Sequence, residues 1–213
     1  MENIDEITES ERLKKGVELF NKRCDFVLSV ASLKQLPADD KVEVAFAGRS
    51  NVGKSSLINA LFGQRKLAKT SSTPGRTQQL NYFNLNDKVY IVDLPGYGFA
   101  KAPKDIVKNW QNLINTYLVG RANLRRVFVL IDSRHGIKKI DEEIMDMLDK
   151  AAVTYQIVLT KTDKISEKEL NKILEDTYKN IEKHTAAYVN ILATSSEKNL
   201  GLDNLKAEVF GLL

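Results

Sequence analysis

Short apolar runs alternate along the chain with longer stretches in which apolar residues recur at helical spacing. Four runs are typical of strands buried on both faces, at residues 42–46, 89–92, 127–131 and 155–159, and a weaker run follows at 189–192. The helical patterns cover residues 56–62, 140–152, 167–183 and 202–212. This alternation predicts an α/β fold with a mostly parallel sheet and helices on both faces.

One segment departs from this alternation. Residues 79–85, the polar pair Asn86 and Asp87, and the strand at 89–92 predict an antiparallel hairpin at the sheet edge. The sheet is therefore expected to have six strands. Upstream, irregularly spaced apolar residues followed by a polar loop at Pro37 predict an extension that is partly helical. We divide the chain into this N-terminal extension, residues 1–40, and an α/β domain, residues 41–213.

The first strand is followed by a loop of the kind that binds phosphates. Residues 48–55 fit Gly-x-x-x-x-Gly-Lys-[Ser/Thr], in which glycines turn backbone amides inward, Lys54 faces the outer phosphates and the Ser55 hydroxyl can ligate Mg²⁺. The helix that begins there adds its positive dipole end. The candidate ligands are Gly48, Arg49, Ser50, Asn51, Val52, Gly53, Lys54, Ser55 and Ser56. The loop indicates a nucleotide but not its base, and the alternative is a chance glycine-rich turn.

A second motif, Asp93-Leu94-Pro95-Gly96, directly follows the strand at 89–92. P-loop NTPases use Asp-x-x-Gly at the end of a hydrophobic strand near the metal and the γ-phosphate. We expect Asp93 to hold Mg²⁺ through water and the Gly96 amide to contact the γ-phosphate. Read alone, the tetrapeptide is an ordinary turn. Its place one hairpin after the phosphate loop favours the functional interpretation.

The residues after the strand at 155–159 bear on which base is bound. Thr160-Lys161-Thr162-Asp163 is similar to the Asn-Lys-x-Asp guanine motif of GTPases. The Asp163 carboxylate can accept hydrogen bonds from guanine N1–H and N2–H₂, a pair that adenine does not offer. Thr160 replaces the usual Asn, which leaves open its contacts to the base and the phosphate loop. A further polar segment, where a backbone amide would meet guanine O6, consists of Thr194, Ser195 and Ser196.

Residues 70–78, between the first helix and the hairpin, are rich in hydroxyl groups and contain Gly and Pro, which predicts a mobile switch loop. Such a switch needs one hydroxyl that joins Mg²⁺ when the γ-phosphate is present. Thr73 and Thr77 both qualify, and spacing alone does not separate them. The candidate nucleotide-binding residues of this region are Gly75, Arg76, Thr77, Gln78 and Gln79.

The composition of the chain indicates which cellular compartment and which class of partner to expect. The chain has 32 basic and 28 acidic residues, a net charge of +4 that suits an anionic partner such as RNA. The single cysteine, Cys24, excludes an internal disulfide framework and fits a reducing compartment. No stretch is long and apolar enough to span a bilayer, and the acidic N-terminus lacks a secretory pattern. We expect a cytoplasmic, monomeric protein without membrane contact.

Together these motifs closely resemble the EngB (YihA/YsxC) family of GTPases, in the TrmE-Era-EngA-YihA-Septin-like superfamily. The resemblance rests on residues 47–56, 73–78, 93–100 and 160–163, and the run Pro95-Gly96-Tyr97-Gly98-Phe99-Ala100 is its most specific part. It implies a P-loop GTPase whose small G domain covers residues 41–213, and it makes Thr160 usual rather than a departure. It also favours Thr77 as the switch hydroxyl, a ligand of Mg²⁺ beside Ser55 and a catalytic residue with Lys54 and Gly96.

The resemblance also gives meaning to Tyr97 and Asn51. Many GTPases have Gln directly after the Asp-x-x-Gly glycine, where it orients the attacking water. Tyr97 cannot do this, so we expect slow intrinsic hydrolysis unless another Gln or the substrate rearranges to help. Several GTPases with such a substitution bind K⁺ through an Asn in the phosphate loop, which makes K⁺ a candidate cofactor at Asn51. An ordinary loop residue with an unusual backbone angle is the alternative.

The resemblance further implies a GTP/GDP switch in assembly of the large (50S) ribosomal subunit, needed for normal cell division and septation. The partner would be a precursor of that subunit, with its rRNA and ribosomal proteins. Basic residues could contact rRNA phosphates, although a solvated charged face is the commoner alternative: Lys101, Lys104, Lys108, Arg121, Arg125, Arg126, Arg134, Lys138 and Lys139. The rival functions are a P-loop ATPase or kinase acting on a small substrate, and a structural RNA-binding module that merely retains nucleotide.

Overall fold

Strands and helices alternate along a computed structural model of the chain, which describes residues 7–64, 67–68, 79–98 and 104–213, with only the backbone of 104–110. The strands are β1 (Cys24–Val30), β2 (Val42–Gly48), β3 (Leu80–Leu85), β4 (Val89–Asp93), β5 (Leu124–Asp132), β6 (Tyr155–Thr160) and β7 (Leu192–Ala193). The helices are α1 (Glu9–Phe20), α2 (Lys54–Leu61), α3 (Lys104–Gly120), α4 (Lys139–Lys150), α5 (Glu167–Ile181) and α6 (Leu202–Phe210), with short 3-10 turns at Leu33–Gln35 and Thr162–Lys164.

The strands of the described residues form one seven-stranded sheet in the order β1-β3-β4-β2-β5-β6-β7. The pairs from β4 through β2, β5 and β6 to β7 are parallel, and β3 is antiparallel to β4. The predicted mostly parallel sheet with an antiparallel edge hairpin is confirmed. The hairpin turns at Asn86 and Asp87, whose φ angles of 51° and 53° are left-handed, a conformation that these two residue types tolerate.

The seventh strand is the difference from the predicted six. The segment Cys24–Val30 lies in the predicted extension but pairs antiparallel with β3, with Phe26 opposite Phe83. Its pattern is weak because it is an edge strand: a register shift follows Phe26, and the Phe26 side chain is 53% exposed. At the other edge, β7 comprises only Leu192–Ala193, because residues upstream such as Val189 are exposed instead of paired.

The extension is joined to the rest of the fold by a helix contact as well as by β1. Helix α1 packs on α6 so closely that a Cβ added to Gly16 would lie 2.6 Å from the backbone nitrogen of Ala207. Glycine therefore permits this approach. We propose that the boundary between residues 1–40 and 41–213 is one of sequence organisation, and that the extension completes the sheet of the same folded unit.

Each face of the sheet is covered by a separate apolar core. Side chains of α3, α4 and α5 pack on one face, and those of α1, α2 and α6 pack on the other. Strand β5 serves both, since Val129 belongs to the first core and Phe128 to the second. Among the described residues, none of the helices has the length and apolar character that a bilayer crossing requires. The parallel strands β2, β4, β5 and β6 end at one sheet edge, where ligands of such folds bind.

Candidate functional site

The phosphate-loop motif lies in a tight curve between β2, which ends at Gly48, and α2, which begins at Lys54. Two residues in the curve are left-handed, Asn51 with φ 65° and Gly53 with φ 103°. A Cβ on Gly48 would lie 2.7 Å from Cγ1 of Val52, whose side chain is buried and anchors the loop. The backbone therefore needs the glycines of the motif in order to curl here.

Lys54 and Asp93 meet at the mouth of this loop. The Lys54 ammonium forms an ion pair with the Asp93 carboxylate, and the two side chains are only 11% and 8% exposed. The pair forms because β4 lies parallel beside β2, so that the end of β4 reaches the start of α2. A cation, a carboxylate and the half-buried Ser55 are therefore assembled in one place. This donor set fits a phosphate chain with Mg²⁺, which would be ligated by Ser55 directly and by Asp93 through water.

Backbone hydrogen bonds join the Asp-x-x-Gly segment to the phosphate loop. The Leu94 amide donates to the Phe46 carbonyl at 3.0 Å. Tyr97 donates to the Gly48 carbonyl at 3.2 Å and accepts from the Ser50 amide at 2.9 Å. Between these bonds, Gly96 lies so near the loop that an added Cβ would be 3.4 Å from the Ser50 nitrogen. The two motifs thus form one continuous surface.

The Tyr97 side chain points away from this surface and into the domain. It is 3% exposed, and its hydroxyl donates to Oδ1 of Asp141 at 2.9 Å. The other oxygen of Asp141 accepts from the Lys138 amide at 2.8 Å and lies 3.3 Å from Nε of Arg49. Burial raises the pKa of both Tyr97 and Asp141, and for Asp141 the nearby donors and cations counteract part of that rise.

The segment predicted to bind guanine lies in the 3-10 turn after β6. Oδ1 of Asp163 accepts from the Ser195 hydroxyl at 2.6 Å, and Oδ2 lies 3.1 Å from Nζ of Lys164. The Ser195 hydrogen bond and the Lys164 contact lower the pKa of Asp163, so its carboxylate is ionised near neutral pH. Ser195 therefore orients the carboxylate that the sequence assigned to the base.

Thr160 keeps a contact with the phosphate loop although it is not Asn. Its hydroxyl donates to the Val52 carbonyl at 2.7 Å. The next residue, Lys161, is left-handed with φ 59°, and its ammonium donates to the Asn51 carbonyl at 2.6 Å and to Asp132 at 2.9 Å. The contact that the sequence left open is thus made by a hydroxyl, and Lys161 adds a second bond between the two loops.

Asp132, at the end of β5, is a residue that the sequence interpretation missed. Burial alone would raise the pKa of Asp132, but hydrogen bonds from Arg134 and Lys161 outweigh it and hold that pKa well below its usual range. The carboxylate accepts from Nη2 of Arg134 at 2.7 Å. Its position at the carboxyl end of a buried strand was the only hint in the sequence. Asp141 gave no hint, because its burial depends on how α4 packs.

The second predicted base element follows β7. Thr194 and Ser195 are fully buried, and the Thr194 carbonyl accepts from the Thr162 amide at 3.2 Å. The turn closes at Gly201, whose φ is 66° and where a Cβ would lie 2.0 Å from the Ala193 carbonyl oxygen. Ser196, the third residue of this segment, is half-buried beside them. Only glycine fits position 201, and the turn that it closes brings Ser195 to Asp163.

The predicted site residues are thus only partly within the described chain. The structure brings together the phosphate loop, residues 93–96, residues 160–163 and residues 194–196, while Ser56 is exposed on α2 and Gln79 is half-buried before β3. Thr73, Gly75, Arg76, Thr77 and Gln78 lie outside the described residues, as does Lys101. The predictions made for them, including the roles of Thr77 in catalysis and Mg²⁺ binding, stay predictions.

The structure separates the basic residues that were grouped as possible RNA contacts. Arg121 and Arg126 form buried ion pairs with Glu43 at 2.9 Å and Glu208 at 2.8 Å, so for these two the surface interpretation was wrong. Arg125 is exposed near the start of β5, at the sheet edge opposite the site. Arg134, Lys138 and Lys139 are exposed between β5 and α4, beside the phosphate loop. We name residues 134–139 the basic loop.

The basic loop borders a cavity of about 150 Å³ beside the phosphate loop. This cavity is lined by Arg49, Ser50, Asn51, Val52, Asp132, Arg134 and His135. Its position outside the curve of the loop makes it part of the rim of the site.

Comparison with known sequences gives consistent matches. A sequence model of a family described as 50S ribosome-binding GTPase matches residues 43–161. The chain is 56% identical over 194 residues to a protein of Cereibacter sphaeroides named Probable GTP-binding protein EngB, covering 91% of this chain and 89% of that protein. A protein of the same name from Rhodospirillum rubrum is 53% identical over 213 residues, covering 98% and 92%.

Solved structures agree on the fold. The crystal structure of a probable GTP-binding protein engB covers 80% of this chain and 98% of its own, with a TM-score of 0.66 at 23% identity. Era in complex with MgGDPNP and nucleotides 1506-1542 of 16S ribosomal RNA is 26% identical, with a TM-score of 0.62, covering 81% of this chain and 56% of that protein.

Proposed function

The chain belongs to the EngB family of GTP-binding proteins and carries its GTPase domain, and from this premise we propose a slow, nucleotide-dependent switch in assembly of the large ribosomal subunit. The requirement for this protein in normal cell division and septation would follow from that role. The observation that carries the proposal is that the predicted guanine-binding segment contacts the phosphate loop at the carboxyl ends of the strands. Thr160 and Lys161 donate hydrogen bonds to carbonyl groups of that loop, at 2.7 and 2.6 Å.

The proposed roles follow from the contacts. Lys54, which pairs with Asp93, would turn to the outer phosphates, and Asp93 would then face the metal through water. Asp163 selects guanine, with Ser195 holding its carboxylate. When bound, Mg²⁺ would neutralise charge on the phosphate oxygens. The Gly96 amide and the Thr77 hydroxyl are proposed to sense the γ-phosphate and to be released after hydrolysis. Gly75, Arg76, Gln78 and Gln79 complete the proposed nucleotide-binding set.

The proposed partner is a large-subunit precursor, and the proposed contact includes the basic loop. Support for the large subunit comes from the family description, 50S ribosome-binding GTPase, and support for an RNA contact comes from the charge of the loop. The 16S rRNA fragment bound to Era, which is small-subunit RNA, supports only a ribosomal RNA partner in general. Residues 133–140 contain Arg134, Lys138 and Lys139 and no acidic residue. Phosphodiester groups suit such a loop, and the contact should weaken steeply with salt. We further propose a monomeric protein of the cytoplasm.

Co-sedimentation with purified large-subunit particles tests this proposal. We expect binding with a non-hydrolysable GTP analogue and little with GDP, because only the triphosphate holds both switch segments. RNA affinity that is equal in the two nucleotide states would favour a structural RNA-binding module. Tight ATP binding by the unaltered protein would favour the rival ATPase or kinase.

The basic loop has a matched control on α5. The double substitution Lys138→Ala/Lys139→Ala should weaken particle binding roughly tenfold and lower its salt dependence, since two phosphate contacts are lost. Lys168→Ala/Lys172→Ala removes the same charge from two exposed residues of α5 and should leave binding within about twofold. Equal losses in both variants would show a general charge effect and count against the basic loop.

A further inference from the structure

We infer that Asp141 is a positioning residue for GTP hydrolysis, which holds Tyr97 and Arg49 from inside the domain and thereby sets where Gly96 lies against the phosphate loop. Asp141 itself lies at the third position of α4 and has no exposed surface. Its carboxylate bonds to the Tyr97 hydroxyl and the Lys138 amide and pairs with the Arg49 side chain. The inference rests on the role proposed above for the Gly96 amide.

The carboxylate joins three segments of the chain at one point. Tyr97 comes directly after the Asp-x-x-Gly motif, Arg49 belongs to the phosphate loop, and Lys138 starts α4. Tyr97 and the Lys138 amide each donate to a different carboxylate oxygen, at 2.9 and 2.8 Å, and Nε of Arg49 lies 3.3 Å from the second. A displacement of any one of these segments therefore strains the bonds to the others.

A carboxylate in this position does more than fill space. A buried charge is tolerated only when donors and cations surround it, and an apolar residue of similar volume avoids that desolvation cost. The charged group instead fixes the direction of the Tyr97 side chain through a hydrogen bond and holds the Arg49 side chain near it as an ion pair. The arrangement favours precise placement of the two motifs over simple packing.

Tyr97 transmits that placement to the site. Its amide and carbonyl bond to Gly48 and Ser50, and its hydroxyl bonds to Asp141, so the residue is held at both its backbone and its side-chain end. Gly96 is its immediate neighbour and has no side chain of its own to hold it. A shift of about 1 Å in a group that contacts the reacting phosphate can lower a rate up to about 100-fold.

A matched tyrosine, Tyr82, makes its side-chain bond near the start of β2, at the end of that strand away from the phosphate loop, although its backbone pairs with Val92. The Tyr82 hydroxyl donates to the buried carboxylate of Glu43 at 2.9 Å, and Tyr82 has no exposed surface. At about 3.3 Å per residue, Glu43 and Gly48 are roughly 17 Å apart along β2. Tyr82→Phe therefore removes the same kind of bond far from the nucleotide.

The test compares Tyr97→Phe, Tyr82→Phe and the unaltered full chain in GTP turnover, GDP affinity and urea unfolding. Both variants should lose stability, since each leaves a buried carboxylate with one donor fewer. The loss should be smaller for Tyr82→Phe, because the Tyr117 hydroxyl still donates to the same oxygen of Glu43. We expect Tyr97→Phe alone to lower kcat at least about fivefold. Its GDP affinity should stay within about twofold, because the proposed γ-phosphate contact of Gly96 is absent in GDP.

Asp141→Asn gives a second route, since it keeps the shape but removes the charge that faces Arg49. Like Tyr97→Phe, it should lower kcat. Turnover of Tyr97→Phe within about twofold of the unaltered chain, or an equal loss in Tyr82→Phe, would overturn the inference. Failure of the unaltered protein to bind ribosomal particles would instead remove the proposed function and leave the inference standing.

Discussion

At the residue scale, the proposed choice of base rests on the Asp163 carboxylate and on its two neighbours. Ser195 and Lys164 contact different oxygens of the carboxylate and keep it ionised. An ionised carboxylate accepts two hydrogen bonds and donates none, which matches the two donors on guanine.

Replacing that carboxylate should therefore change the nucleotide that is bound. In Asp163→Asn the amide offers a donor where guanine also has a donor, so GTP affinity should fall about 10- to 100-fold. Xanthosine triphosphate, with an oxygen at that position, should bind better than GTP. Titration with fluorescent analogues of the two nucleotides checks this, and Asp203→Asn, at an exposed position of α6, is the control. Unchanged GTP affinity in Asp163→Asn would contradict the assignment.

Asn51 carries a separate prediction about cofactors. Its backbone is left-handed, its carbonyl accepts from Lys161, and its side chain is exposed at the rim of the loop. We propose that this side chain helps to hold K⁺, which would supply the positive charge that an arginine finger supplies in other GTPases. GTP turnover should then be several-fold faster in K⁺ than in Na⁺, and Asn51→Asp should change that ratio. Equal rates of GTP turnover in the two salts, unaltered by the substitution, would contradict this proposal.

Sequence reasoning succeeded where a residue's role follows from local spacing and failed where it depends on packing. Three predicted segments each follow an apolar strand: the phosphate loop, residues 93–96 and residues 160–163. Their meeting at the carboxyl ends of the parallel strands was therefore predictable. Asp132 and Asp141 were missed because each acts through partners distant in the chain, such as Lys161 and Tyr97. The expectation that Tyr97 does not replace Gln stays a prediction, and its burial toward α4 could not be read from its sequence neighbours.

At the element scale, the strands buried on both faces were predictable and the edge strands were not. β2, β5 and β6 each contain an apolar run that is buried on both faces of the sheet. β1 pairs on one side only and exposes Phe26, while β7 has two residues. Edge strands lack the double burial that gives a clear pattern.

The contact between α1 and α6 gives a prediction at this scale. Gly16→Ala should destabilise the protein by about 1–3 kcal/mol, because the new methyl group meets the α6 backbone. Gly120→Ala makes the same change at the end of α3, where nothing lies within 4 Å of the added Cβ, and it should be neutral or stabilising. Urea unfolding of both variants measures the difference. Equal stabilities would contradict close packing of the extension on the domain.

At the scale of the whole molecule, hydrogen bonds and ion pairs link the parts of the site to one another. Thr160 and Lys161 tie the base segment to the phosphate loop, and Tyr97 ties the Asp-x-x-Gly segment to the loop and to α4. The basic loop connects the end of β5 with the start of α4. Asp132, at the end of β5, accepts a hydrogen bond from Lys161, and Asp141, in the first turn of α4, accepts one from Tyr97. A partner on the basic loop would therefore be sensitive to the nucleotide state.

The most direct test of the account is particle binding by the Asp163→Asn protein with two different analogues. If Asp163 selects the base and the nucleotide drives the switch, this variant should co-sediment with large-subunit particles in a non-hydrolysable xanthosine triphosphate analogue. It should not do so in the GTP analogue at a concentration that suffices for the unaltered protein. Binding that is the same in both analogues, or that appears in neither although the xanthosine analogue is bound, would contradict the account.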